Sequence, residues 1–187
     1  MPCPYFRKRR SNRAMSAVDQ YSIERSSALD CMFSPKSVAV IGATDREGTV
    51  GRTVLEKLRV ETFRGQVYAI NPKHTEILGL PAYSKIKEVP EKVDLAVIVT
   101  PARTVPGVIA ECMDAGVRAA VVISAGFKES GAAGAALERE IQNLLRKSAM
   151  RLIGPNCLGV MIPHAGLNAT FAREMARPGK VAFLSQS

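Results

Sequence analysis

Three glycines and a lysine carry the first chemical signal in this sequence. The stretch 37–51, SVAVIGATDREGTVG, runs an apolar segment from Val38 to Ile41 straight into Gly42 and returns to glycine at Gly48 and Gly51. That pattern describes a strand, a small polar loop containing Thr44, Glu47 and Thr49, and a helix that opens at about Gly48 to Gly51. Unpartnered N–H groups and the positive end of a helix dipole converge at such a point, which makes it a seat for phosphate. Further on, Asn71-Pro72-Lys73-His74 places an ammonium, which has donors only and suits an anion, at the end of a second apolar run. Asn156 and Cys157 stand in GPNCLG. Nothing near Cys157 in sequence would make it a thiolate, so it reads as a small buried residue. The two histidines, His74 and His164, read as surface residues. The chemistry on offer is anion binding, with no catalytic residue.

Whose phosphate is bound is narrowed by two exclusions. The dinucleotide fingerprint needs G-x-G-x-x-G and an acid about 20 residues on for the ribose diol. Here five residues separate Gly42 from Gly48, and the second strand ends in Asn71-Pro72-Lys73 where the carboxylate belongs. Lys73 suits a phosphorylated ribose, which NADP also carries, so Lys73 alone does not decide the ligand. A Walker A loop needs G-x-x-x-x-G-K-[ST]; this chain has Gly48-Thr49 with no lysine between.

The elements that must position these residues alternate. Strands are expected at 37–42, 67–70, 95–99, 119–123 and 151–153, bounded by glycine, proline and aspartate. Helices are expected over about 49–61 and 133–148, and after Thr104 as N-cap, with Pro106 in the first turn and Gly116 as terminator. Residues 77–83, ILGLPAY, read as a compact excursion at the loop rim, 159–162 as a short extra segment and 181–184 as the start of a further strand. Strands apolar on both faces, alternating with helices, imply an α/β fold: a Rossmann-like, doubly wound parallel sheet with helices on both faces. Ligands then bind beyond the carboxyl ends of the strands, where GATDREG, NPK, TPA, SAGF and GPNC converge.

Length and charge bound the rest. The chain has 187 residues, enough for one well-buried domain, and a formal charge of +9. Arg7, Lys8, Arg9, Arg10 and Arg13 precede the first acid, Asp19. This basic, mostly disordered extension, 1–33, is read as solvated; nucleic-acid binding lacks interleaved aromatics and a recognition helix. Met15 is an alternative start. Four cysteines without a C-x-x-C pair give neither a disulfide framework nor zinc spacing, and a cytoplasmic location follows as the expectation.

Taken together, GAT…EGTVG, INPK, VTPA, ISAGF and IGPNCLG, followed by PGKVAFLSQS, resemble the CoA-binding domain of NDP-forming acyl-CoA synthetases. That group includes the succinyl-CoA synthetase alpha subunit and ADP-forming acetyl-CoA synthetases, and the domain also opens related protein lysine acetyltransferases. The resemblance spans about 30–187 and implies CoA, as acetyl-CoA or another acyl-CoA, bound at the strand ends by a domain over 34–180. Residues 181–187 would begin a following domain. Carried over by motif, Gly42, Thr44, Glu47, Gly48, Thr49, Val50 and Gly51 belong to the loop that meets the CoA phosphates. Asn71 and Lys73 fall where the nucleotide portion is contacted. Thr100, Pro101 and Ala102 line the adenine and pantetheine path. Ile123, Ser124 and Ala125 match the next segment, and Asn156, with Cys157, matches the loop nearest the thiol.

In that family a phosphoryl group passes through a histidine in the domain after this one, and nucleotide is handled by an ATP-grasp unit. Neither His74 nor His164 stands in the matching motif. The expectation is therefore a fragment of an acid–thiol ligase that binds CoA and does not catalyse alone, with a CoA-ligase domain and an ATP-grasp unit as partners and no membrane. The alternatives are the CoA-binding domain of a lysine acetyltransferase and a nicotinamide-dinucleotide-binding redox regulator.

Overall fold

In the computed structural model, residues 28–60 and 63–185 are described. The basic cluster at 7–13, Met15 and most of the 1–33 extension lie outside them. Order begins before residue 34, however: 28–33 form a helical segment, α1, that buries Ala28 and Met32 one turn apart. The apolar pair at i and i+4 explains why this end of the extension packs.

Seven strands form one sheet in the order β3-β4-β2-β1-β5-β6-β7. Its centre consists of β1 (Ser37–Ile41), β2 (Gln66–Ile70), β5 (Leu95–Ile98), β6 (Ala119–Val122) and β7 (Arg151–Ile153), all parallel. Adjacent residues of one strand enter different cores, as the period of two requires. Val38, Val40, Leu95, Val97 and Val121 join one core with Val54, Leu55 and Leu58 of α2 (Val50–Val60). Ala39, Ile41, Ala96, Ile98 and Val122 join the other, against α3 (Val105–Asp114) and α4 (Ala132–Arg146). The expected two-faced parallel sheet is thereby realised, with strand order switching direction between β1 and β5.

Three expectations are corrected. Residues 77–83 are no excursion: β3 (Glu76–Ile77) and β4 (Leu80–Tyr83) make a hairpin, and β4 pairs parallel with β2, so this stretch is the sheet edge. Its turn, Leu78-Gly79, takes positive φ at both residues, the geometry that suits a two-residue hairpin. Thr104 occupies the N-cap position of α3 but makes no capping bond; its hydroxyl donates to the Pro101 carbonyl at 2.8 Å, because a 3-10 turn over Ala102–Thr104 precedes the helix. Residues 181–184 form no strand, and Val181, Phe183 and Leu184 are almost fully exposed at 94, 89 and 89%. Nothing in the described residues pairs with their backbone to make a ladder.

The segment after β7 adds an element that helix-only reasoning lacks. β8 (Gly159–Ile162) and β9 (Leu167–Thr170) pair antiparallel and lay Val160, Leu167 and Ala169 into the α2-side core. The short extra segment expected at 159–162 is thus one strand of a hairpin that covers part of a sheet face. Gly116 does close α3 as expected: with φ +77, its N–H reaches Met113 and that of Val117 reaches Cys112.

Candidate functional site

Each of the five loops named from the sequence leaves the carboxyl end of a central strand, and the backbone ties neighbouring loops together. Gly42 holds φ +95, and a Cβ there would lie 3.1 Å from both the Val99 carbonyl and Thr100 Cγ2, so the β1 and β5 loops touch through a missing side chain. Gly51, in the first turn of α2, lies so close to the Gly42 carbonyl oxygen that a Cβ would sit 2.4 Å from it. The helix N-terminus is pressed onto the strand end, as a phosphate seat requires. Gly48 (φ +71) has open space beside it and is there for its backbone conformation.

Between these glycines the loop is internally bonded. The Arg46 N–H donates to Thr44 Oγ1 at 3.2 Å, and Thr49 Oγ1 donates to the Arg46 carbonyl at 2.7 Å. Val50 and Glu47 are exposed. Glu47 lies 3.7 Å from Arg52, which also donates to the Asp45 carbonyl and to Glu56 at 2.6 Å. A carboxylate repels phosphate, so the chemistry open to Glu47 is holding Arg52. Arg52 itself is a residue that reading the motif missed: from the first turn of α2 it reaches back and braces the loop. The signal available was its i, i+4 spacing to Glu56.

Asn71 joins the second loop to the first. Its Nδ2 donates to the Ala43 carbonyl at 2.8 Å while its Oδ1 accepts the Lys73 N–H at 2.9 Å. Lys73 is thus carried on a fixed turn with its side chain exposed. His74 follows, half-buried, and its N–H points to the Asn71 carbonyl at 3.4 Å.

On the other side, the Thr100 and Thr104 hydroxyl oxygens lie 3.0 Å apart, Pro101 is exposed, and Ala102 starts the 3-10 turn. A Cβ on Gly126 would sit 3.0 Å from the Ala102 Cβ, which brings the β6 loop against the β5 loop. Ile123 is buried, Ser124 half-buried and Ala125 exposed, and Ser124 Oγ lies 3.4 Å from the Ile98 carbonyl. Asn156 adopts left-handed backbone (φ +54), tolerable for asparagine, and its N–H donates to the Ser124 carbonyl at 3.0 Å. Cys157 is half-buried and donates to the Val122 carbonyl at 3.3 Å; burial pushes its thiol up, so it stays protonated at neutral pH. His164 stands apart from this cluster, its Nε2 3.0 Å from the Gly179 carbonyl.

A second residue outside the motif reading is Glu129. Its Oε1 accepts the Gly126 N–H at 2.6 Å and the Phe127 N–H at 3.0 Å, and those amides hold its carboxyl below the usual carboxylate range. The lysine–glutamate pair after SAGF gave no periodic or motif signal for this role.

The loop cluster lies at the carboxyl end of the sheet, around the β1/β5 switch point. A half-open pocket of about 280 Å³ lies at the opposite end of the sheet between Ile86, Lys87, Pro90, Lys92 and Val117. Its lining offers no glycine loop. Among the described residues no group of three or more His, Cys, Asp and Glu side chains is arranged to hold a metal ion, and no helix is long and apolar enough to cross a membrane.

Residues 36–163 match the protein family described as CoA binding domain. The chain is 51% identical over 159 residues to ADP-forming acetate–CoA ligase I of Archaeoglobus fulgidus, covering 85% of this chain and 23% of that protein. It is 45% identical over 159 residues to the alpha subunit of ADP-forming acetate–CoA ligase II of Pyrococcus furiosus, covering 85% and 34%. Among solved structures, the apo form of a dinucleotide forming acetyl-coenzyme A synthetase 1 from Ca. Korarchaeum cryptofilum superposes with a TM-score of 0.72 at 44% identity, covering 78% of this chain and 31% of that one. The chain therefore spans between 23 and 34% of the length of these relatives.

Proposed function

The chain belongs to the CoA binding domain family, and from that premise we propose that it is the CoA-binding unit of an ADP-forming acetyl-CoA synthetase. One observation carries this reading: five strand-end loops are tied to their neighbours, by close main-chain approaches and by the Asn71 side chain, around the β1/β5 switch point. A glycine-bearing loop on the N-terminus of α2, a cation on the neighbouring turn and the loops beyond β5, β6 and β7 fit the three parts of CoA. The pyrophosphate takes backbone N–H groups of residues 48–51. Lys73 takes the 3′-phosphate as a point charge. Thr100–Ala102 and Ile123–Ala125 line the path of adenine and pantetheine, and Asn156 stands by the thiol end. Bound CoA supplies a thiol that accepts an acyl group, acetyl in this reading; this chain orients it.

The phosphohistidine and nucleotide steps belong to further parts of the parent enzyme, a CoA-ligase domain and an ATP-grasp unit, working in the cytoplasm. Relatives carrying the activity in their names are several times longer, and that supports the division of labour.

Calorimetry with CoA, dephospho-CoA and NADPH tests the reading. CoA binds, dephospho-CoA binds more weakly, and NADPH does not compete. Lys73→Glu lowers CoA affinity by about tenfold or more at low salt and leaves dephospho-CoA nearly unchanged. Equal effects on both ligands would remove Lys73 from the 3′-phosphate; tight NADPH binding without CoA binding would remove CoA altogether.

A further inference from the structure

The β6 loop is fixed at its far side by an unusual set of contacts. Phe127 is fully buried and anchors the loop in the α3/α4-side core. Gly134 of α4 packs so closely that a Cβ would fall 1.9 Å from the Phe127 carbonyl oxygen. The Ser130 N–H closes a turn onto that carbonyl at 2.8 Å. Between anchor and turn, Glu129 folds back and takes two successive N–H groups, those of Gly126 and Phe127, on one oxygen. Glu129 is exposed, so no burial holds it there; the two bonds do. What the clasp fixes is the direction of the chain through Ser124, Ala125 and Gly126, where the loop meets Ala102 and accepts the Asn156 N–H.

We propose that Glu129 is a positioning residue for ligand binding: its carboxylate clasps the Gly126 and Phe127 amides and pre-sets the Ser124–Ala125 wall of the cleft. The proposal rests on the CoA reading above. Glu129 does not touch the ligand; it spares the loop an ordering step during binding, and pre-organisation of this kind appears in affinity. Charge gives the opposite sign. A carboxylate beside a cleft for a polyanion repels it, so removing the charge alone strengthens binding. The two roles can therefore be separated by the direction of the change.

The test compares the full chain with its Glu129→Ala and Glu129→Gln variants by calorimetry with CoA, and by the amide resonances of Gly126 and Phe127. Glu129→Ala weakens CoA binding roughly tenfold and shifts both amides. Glu129→Gln keeps an acceptor, loses the charge, restores the amides toward their original positions and binds CoA at least as well as Glu129. A Glu129→Ala chain that binds as tightly as the original, or more tightly, overturns the proposal, since only repulsion was then removed. Failure of Glu129→Gln to recover affinity overturns it as well. If the unaltered chain binds no CoA, the reading under Proposed function falls and this inference with it; binding by the unaltered chain with insensitivity to Glu129 sinks the inference alone.

Discussion

The two ends of the central sheet are joined by different means. At the carboxyl ends, glycines let main chain press on main chain: the first turn of α2 rests on the Gly42 carbonyl, Gly42 lies against Val99, and Asn156 bonds Ser124, with the Asn71 side chain adding a bond to Ala43. At the amino ends, Asp94 and Ser37 side chains add joints to the backbone bonds from Gln66 to Lys36 and from Arg151 to Arg118. Asp94 accepts the Lys36 N–H at 2.8 Å and faces the Cys31 thiol at 3.6 Å, while Ser37 Oγ donates to the Lys92 carbonyl at 2.8 Å and accepts the Asp94 N–H at 3.0 Å. A half-open pocket lies at the amino end, yet the glycine loops are at the carboxyl end. A surface pocket is thus a poor guide to the candidate site in this fold, because anion recognition by backbone N–H groups at a helix N-terminus needs no deep pocket.

The difference can be broken most forcefully at Gly51. Gly51→Ala drives a Cβ to within 2.4 Å of backbone that cannot yield, so stability falls by about 2 kcal/mol and CoA affinity by at least about tenfold. Denaturant titration and calorimetry read the two effects; intact affinity would show that the α2 contact does not shape the cleft. Asp94→Ala probes the other end. Losing a partly exposed acceptor of two donors costs about 1 kcal/mol of stability and leaves CoA affinity unchanged. A matched loss of affinity would mean that the ends are coupled and the contrast is false.

The smallest effect lies between the ends. Cys112, buried on the core face of α3, has its thiol pushed by burial from 9.0 to about 12. The folded state holds this proton more tightly than the unfolded one, so the contribution is complete below pH 9.0 and is lost as pH rises towards about 12. Stability of the unaltered chain relative to Cys112→Ala is flat near neutrality and then falls above pH 9.0. A parallel pH profile for both would show that the thiol is not in a dry core.

Much of this was legible in the sequence because parallel strands buried on both faces announce themselves as continuous apolar runs that stop at glycine or proline. Val38–Ile41 and Leu95–Ile98 are such runs, and the loops after them followed directly. Leu80–Tyr83 was opaque because a strand of four residues interrupted by Pro81 carries no period and the turn that joins it to the edge strand β3 lacks the Asn-Gly signal. Residues 181–184 misled for the converse reason: β-propensity without a partner strand makes no ladder. In the cleft, glycines and Lys73 were readable by type. Arg52 and Glu129 were not: the spacing of Arg52 to Glu56 marks a helix-surface pair, while the bonds by which both residues brace carbonyl or amide groups of the turn beside them leave no trace in residue spacing.

The β8–β9 hairpin also has a consequence for how the chain reaches its shape during synthesis. The parallel sheet is complete once Ile153 is available, but Val160, Leu167 and Ala169, which cover part of its α2-side face, are made later. For that interval β6 and α2, which the hairpin touches, stand without it, an apolar surface on a sheet already formed. A chain cut after residue 158 will therefore be sticky in a way that a chain carrying the hairpin is not, because the hairpin seals this face only after the parallel sheet is available.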